Sequence, residues 1–460
     1  MLIMYKIINK FTSFINKGGK RTILIKRNIL FSLLLKFIGM ITMFMLVPIS
    51  IDYLGETNYG IWITISGIIA WSGMFDFGFS HGLRNKLTEA IAKEKYELSK
   101  SLISTTYLFL FLIALMIFSI LSILIEQLNW SLLLSLPNGY NIEILKNTLY
   151  IISLFFIFQF MLKPINAILQ ALQLPAISQA FGTLGGLIII LSILNLPIIL
   201  GVIPNLYLYA FIVAGTPVLI LFLGSLYMYI KKYRYLMPSI NSINLKYIRS
   251  IGGLGMTFFF IQLSLLIVYS SDNLIISYLF GPEEVTTYNV VYRYFSIITI
   301  FFGVIMSPFW SAITDAYVKN EMEWIKKTIQ SLLLVLLGGS LISIILSIFA
   351  PWVFHWWIGN DFFVSSLLIV LMAIYSILMG LLNIFSFFSN GIGKIRIQLI
   401  AYIISAIINV PLSYFFGKIL NMGSSGVLLS TIICMSFINL ILIIQYTKII
   451  NNKATGLWYK

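Results

Sequence analysis

Cysteine occurs once in the 460-residue chain, at Cys434, so no intrachain disulfide can form. Histidine occurs twice, at His81 and His355, and the three residues are too scattered for a zinc site. Charge is scarce as well: Asp, Glu, Lys and Arg make up 10% of the residues, where soluble domains carry about one quarter. No Gly-rich loop ending in Lys-Ser or Lys-Thr is present, which argues against nucleotide hydrolysis. Nor does the chain open with a short apolar core and a small-residue cleavage site, so no removable signal peptide is expected. No metal or cofactor is implied.

What fills the sequence is hydrophobic side chain, at 60% of residues. That would overfill a water-soluble core but suits helices that face lipid as well as one another. Apolar runs of roughly 20 residues recur throughout, each enough to cross about 30 Å of hydrocarbon. They fall near 29–51, 59–80, 102–124, 147–171, 178–200 and 206–230, then near 252–279, 286–311, 328–350, 364–388, 398–420 and 425–447. The expected fold is an all-α integral membrane protein of about twelve transmembrane helices.

The net charge of +15 raises nucleic acid as a partner, but the positions of the cations argue for topology instead. Lys and Arg collect in residues 1–28, in the loop holding Arg84, Lys86, Lys93, Lys95 and Lys100, in later even-numbered loops and in 448–460. The odd-numbered loops offer only Lys146 and Lys418 and are otherwise short and acidic. This excess places both termini and the even loops in the cytoplasm and leaves no outer loop large enough for a catalytic domain. Residues 1–28 form an amphipathic cytoplasmic segment, with Met4, Ile7, Ile8, Phe11, Phe14 and Ile15 opposite Lys6, Lys10 and Lys17.

The spans divide evenly into an N-terminal bundle, 29–230, and a C-terminal bundle, 231–447, of about six helices each, followed by a cytoplasmic tail, 448–460. A local echo supports duplication: Tyr53-Leu54-Gly55 then Tyr59 after the first span, against Tyr278-Leu279-Phe280-Gly281 then Tyr288 after the seventh. Two parallel bundles imply a central cavity between them.

The segment Val47-Pro48-Ile49 through Tyr53-Leu54-Gly55, Tyr59-Gly60-Ile61-Trp62 and Asp76-Phe77-Gly78 to Gly82-Leu83-Arg84-Asn85-Lys86-Leu87 resembles the polysaccharide flippases of the multidrug/oligosaccharidyl-lipid/polysaccharide exporter superfamily. The motif covers residues 47–90; elsewhere the likeness is one of span count. The resemblance implies a MATE-like architecture in a bacterial cytoplasmic membrane. It implies a non-enzymatic flippase that moves an undecaprenyl-pyrophosphate-linked oligosaccharide to the outer leaflet by alternating access. O-antigen or capsule synthesis, coupling to H+ or Na+ and a glycan polymerase partner are expected with it. The motif residues also have structural readings: Pro48 bends or ends a helix, and Gly55, Gly60 and Gly78 allow tight turns or close helix contact.

Ionisable residues within spans are sharper signals, because a charge at mid-bilayer costs about 2.5–3.5 kcal/mol on insertion scales. They are Lys36, Asp76, Lys163, Asp272 and Arg293. Lys36, Lys163 and Arg293, with Arg84 at the cavity mouth, are the candidate cations for a pyrophosphate. Asp76 and Asp272 are candidates for coupling or charge pairing, and a structural Arg293–Asp272 pair is the bland alternative. A cation-coupled multidrug exporter of the same fold would prefer an acidic cavity. A membrane polymerase or acyltransferase would need positioned acid, base or nucleophile groups, for which the outer loops are too short.

Overall fold

The computed structural model describes residues 20–71, 73, 79–172, 174–201, 205–248, 263–268, 270–359 and 362–459. Among these residues the regular structure is helical and no strand occurs. Hydrocarbon offers backbone N–H and C=O groups no water, so a chain that crosses it satisfies them within helices. In chain order the helices are α1 (Lys20–Trp71), α2 (Phe79–Ala92), α3 (Tyr96–Gln127), α4 (Trp130–Leu133), α5 (Ile142–Leu162), α6 (Pro164–Ala171) and α7 (Pro175–Leu200). They continue as α8 (Leu206–Tyr227), α9 (Asp272–Phe280), α10 (Pro282–Val318), α11 (Met322–Trp357), α12 (Ser366–Gly391), α13 (Arg396–Tyr414) and α14 (Gly423–Ile450). The predicted amphipathic helix before Gly18-Gly19 lies outside the described residues.

Ten helices among the described residues are long and apolar enough to cross a membrane, where about twelve were predicted. Two differences account for the lower number. Predicted spans 29–51 and 59–80 fall on one run, α1, broken only at Gly55, where φ 73° and ψ 163° leave the helical region. Predicted span 286–311 falls on α10, 37 residues long, which is not among the ten found over the described residues. Predicted span 147–171 is helical throughout but divides at Lys163 into α5 and α6, with Pro164 opening α6 where its missing N–H costs nothing.

Packing groups the described residues into two units. One falls within Met1–Tyr53, Phe75–Gln127 and Glu143–Gly255; the other falls within Leu54–Met74, Leu128–Ile142 and Met256–Lys460. The second half of α1 therefore packs with the C-terminal helices rather than with its chain neighbours.

In the first unit, α2 turns Leu83, Leu87 and Ala90 into a core with Leu102, Ile103 and Leu110 of α3 and Ile165, Ile168 and Leu169 of α6. The spacing of these α2 residues places them on one face, and Arg84, Lys86 and Glu89 lie exposed on the other. The motif at 82–87 is thus half core and half surface.

In the second unit, α14 packs against α12 and α13 and buries a polar stripe among its apolar residues. Ser430 pairs with Ser413 at 2.5 Å, Thr431 accepts from Asn409 Nδ2 at 3.1 Å, and Gln445 Oε1 accepts from Ser389 at 3.1 Å. These side chains meet one another inside the helix bundle, where lipid could supply no partner, while Asn409 Oδ1 and Asn439 Oδ1 stay buried without one among the described residues.

The two echoed glycines share a backbone conformation. Gly55 has φ 73° and ψ 163°; Gly281 has φ 92° and ψ 169°. Side-chain-bearing residues essentially do not enter this region, so both positions require glycine. The two cations that broke the charge rule each have a partner: Lys146 pairs with Glu126 at 2.6 Å, and Lys418 lies 5.6 Å from the Tyr414 ring.

Candidate functional site

Within the second unit, the turn at Gly281 and the proline that opens α10 fold α9 and α10 side by side. Residues sixteen apart then meet: Tyr288 Oη donates to Asp272 Oδ2 at 2.8 Å, and Asn289 Nδ2 donates to Asn273 Oδ1 at 2.8 Å. The α1 segment beyond Gly55 is held against this hairpin. Thr286 donates to the Glu56 carbonyl at 2.6 Å, and Thr57 donates to Glu283 Oε1 at 2.8 Å. At Gly60 the backbones approach so closely that a Cβ would sit 1.7 Å from the Pro282 carbonyl oxygen.

These three segments enclose a cavity of about 340 Å³ lined by Gly67, Ala70 and Trp71 of α1, Ser270, Asp272 and Asn273 beside or within α9, and Tyr288, Asn289 and Tyr292 of α10. The volume lies at the lower end of the roughly 300–1,000 Å³ typical of small-ligand sites. Small residues on α1 leave the space, and aromatic rings, amides and one carboxylate bound it. Among the described lining residues there is no Lys, Arg or His.

Asp272 is 2% exposed, and Thr431 of α14 supplies its second donor, 3.1 Å from Oδ1 and 3.2 Å from Oδ2. Two hydroxyls thus donate to a carboxyl group that is almost wholly buried. Asn289 Nδ2 also donates to the Val285 carbonyl at 2.9 Å.

The predicted cations lie elsewhere. Arg293 follows Tyr292 but does not line the cavity; it is within hydrogen-bonding reach of the buried Tyr59 hydroxyl, and its Nε is buried without a partner. Asp272 takes its hydrogen bonds from Tyr288 and Thr431, not from Arg293. Lys36 is exposed on α1, about 100° around the helix from Phe37, which belongs to the exposed apolar stripe with Leu34, Ile41 and Met45. Lys163 is half-buried at the α5–α6 break, 5.8 Å from the Phe160 ring. Arg84 is exposed on α2, on whose outer face Glu89 accepts from Lys93 at 2.7 Å. That hydrogen bond, with the Lys93 charge, holds the Glu89 carboxyl below its ordinary range. Lys36, Lys163 and Arg84 belong to the first unit and Arg293 to the second, so the structure does not gather them within either one. Asp76 lies outside the described residues.

Trp71, Asn273 and Asn289 escaped the sequence reading, which searched the spans for charge, and Tyr288 entered it only through the echoed segment. The available signal was neutral: Asn273 and Asn289 are amides inside predicted apolar spans, next to Asp272 and Tyr288.

The family model described as polysaccharide biosynthesis protein matches residues 25–313, and the MatE model matches residues 256–415. A Salmonella typhi protein, provisionally named an O-antigen transporter, is 23% identical over 403 residues, which cover 85% of this chain and 88% of that one. Among solved structures, an inward-facing multidrug resistance MATE family transporter of the MOP superfamily superposes with a TM-score of 0.73 at 16% identity, covering 92% of this chain and 95% of that one. The inward closed lipid II flippase MurJ gives a TM-score of 0.68 at 19% identity, covering 92% and 90%. A MATE-like helical fold along nearly the whole length, together with a family model that spans more than half of it, has one reading: this multi-pass membrane chain belongs to the polysaccharide biosynthesis protein family.

Proposed function

We propose that the chain moves a polyprenyl-pyrophosphate-linked oligosaccharide from the inner to the outer leaflet of a bacterial cytoplasmic membrane, for O-antigen or capsular polysaccharide. The observation that carries this reading is the cavity of amides, hydroxyls and aromatic rings in a member of this family, a lining suited to a glycan. The names of the Salmonella relative and of MurJ point the same way. A sugar-bearing pyrophosphate cannot cross hydrocarbon unaided, and a polar, partly cationic path lowers that barrier. In this reading Lys36, Lys163, Arg293 and Arg84 attract the pyrophosphate, while the lipid tail stays in the bilayer. The halves 29–230 and 231–447, with both termini in the cytoplasm, alternate the exposure of the path. A proton or sodium gradient drives the cycle, with Asp272 as the coupling carboxylate.

Complementation tests it. In a strain lacking the chain, wild type restores surface glycan, whereas well-expressed Lys36→Ala, Lys163→Ala or Arg293→Ala variants leave lipid-linked units inside. If wild type restores no surface glycan, the substrate is wrong.

A second reading, a cation-coupled multidrug exporter, draws on one observation: the cavity lining carries a carboxylate and, among its described residues, no cation. Its test is drug resistance conferred by the wild-type chain and lost in Asp272→Asn.

A further inference from the structure

The amides of the cavity are held in one orientation. The Val285 carbonyl can only accept, so the Asn289 nitrogen faces it, and Asn273 must present its oxygen to the same nitrogen. Both hydrogens of Asn289 Nδ2 are thereby used. Asn289 Oδ1 and Asn273 Nδ2 have no partner among the described residues, and neither is sealed from solvent. The cavity therefore holds a fixed acceptor beside a fixed donor.

An adjacent acceptor and donor match a pair of neighbouring sugar hydroxyls, each able to give and to take a hydrogen bond. Trp71 and Tyr292 add aromatic surface for the apolar C–H face of a pyranose ring. When ionised, Asp272 opposes any second negative charge in the same cavity. An anionic sugar or a phosphate would meet this carboxylate with no cation among the described lining residues to offset it.

Resting on the flippase reading above, we propose that this cavity is a subsite for a single uncharged hexose of the glycan, selected through the Asn273–Asn289 pair, and that it rejects uronic acids and phosphate. The pyrophosphate is then bound outside this cavity. The chain thus separates recognition of sugar from recognition of charge.

Saturation-transfer difference NMR on the full chain in detergent micelles tests this without translocation. The probes are methyl glucopyranoside, methyl galactopyranoside, methyl glucuronide and inorganic phosphate. At least one neutral hexoside is expected to bind wild type, and Asn273→Ala to weaken it about three- to tenfold, as for a lost neutral hydrogen bond. The glucuronide is expected to bind at least about tenfold more weakly than that hexoside and to gain in Asp272→Asn. The proposal is overturned if neither hexoside binds wild type, if glucuronide or phosphate binds as well as the hexoside, or if Asn273→Ala leaves hexoside binding unchanged. The ligand comparison in wild type stands even where a variant fails to fold. Surface glycan restored in cells without hexoside binding at this cavity sinks the subsite alone; hexoside binding without glycan movement sinks the flippase reading alone.

Discussion

Two glycines of α1 make opposite demands. Gly60 sits where a Cβ would meet the Pro282 carbonyl oxygen at 1.7 Å, so even alanine forces two backbones apart. Gly60→Ala is expected to lose stability at or beyond the about 1–3 kcal/mol of ordinary overpacking, read as a fall in thermal midpoint and in monodisperse yield. Gly67 has nothing within 4 Å of its Cβ position and lines the cavity. Gly67→Leu should fold normally yet fill the cavity, abolishing glycan transport at unchanged membrane level. A transport-competent Gly67→Leu would remove this cavity from the substrate path. Asp272→Asn separates shape from charge in the same way. Tyr288 and Thr431 can still donate to the remaining oxygen, so the variant should fold while losing at least about tenfold in gradient-driven transport, measured in vesicles with an imposed ion gradient. Unchanged transport would assign coupling to another group.

Among the elements, α1 shows how much rests on one backbone conformation. It carries two predicted spans as one helical run, and only Gly55 redirects it. A Cβ at Gly55 meets open space, so Gly55→Ala tests backbone strain alone. A loss of about 1–3 kcal/mol is expected in thermal unfolding, with a similar loss for Gly281→Ala at the echoed position. No loss at either would mean that the turns relax without glycine. The break at Lys163-Pro164 was legible because proline cannot continue the α5 hydrogen-bond ladder. The merging of spans one and two was not, since residues 52–58 read as a polar loop while in fact they remain helical on both sides of Gly55.

For the molecule as a whole, the membrane fold was legible because hydropathy and charge bias are averages over about 20 residues and survive local errors. The site was not, because its walls come from distant parts of the chain: Trp71, Asn273 and Asn289 share a cavity only after α1 crosses into the second unit. A search for intramembrane charge found Asp272 and overlooked the amides around it, whose insertion cost is far smaller than that of an ion. Topology can be checked with the chain's own chemistry. Cys434 is buried, so wild type should resist a membrane-impermeant maleimide and serve as its own background. Lys93→Cys is expected to label only when the cytoplasmic face is opened, and Asn138→Cys on intact spheroplasts; the reverse pattern would invert the proposed orientation.

The polar stripe of α14 also bears on how the chain is made. α14 is the last of the long helices, yet it brings the hydroxyl that Asp272 and Asn409 await, the serine for Ser413 and the amide for Ser389. Spans inserted earlier must wait in the lipid with these groups unpaired until α14 has been made. A chain that stops short of residue 423 leaves a bundle with these polar groups unmet, so assembly of this unit waits on α14.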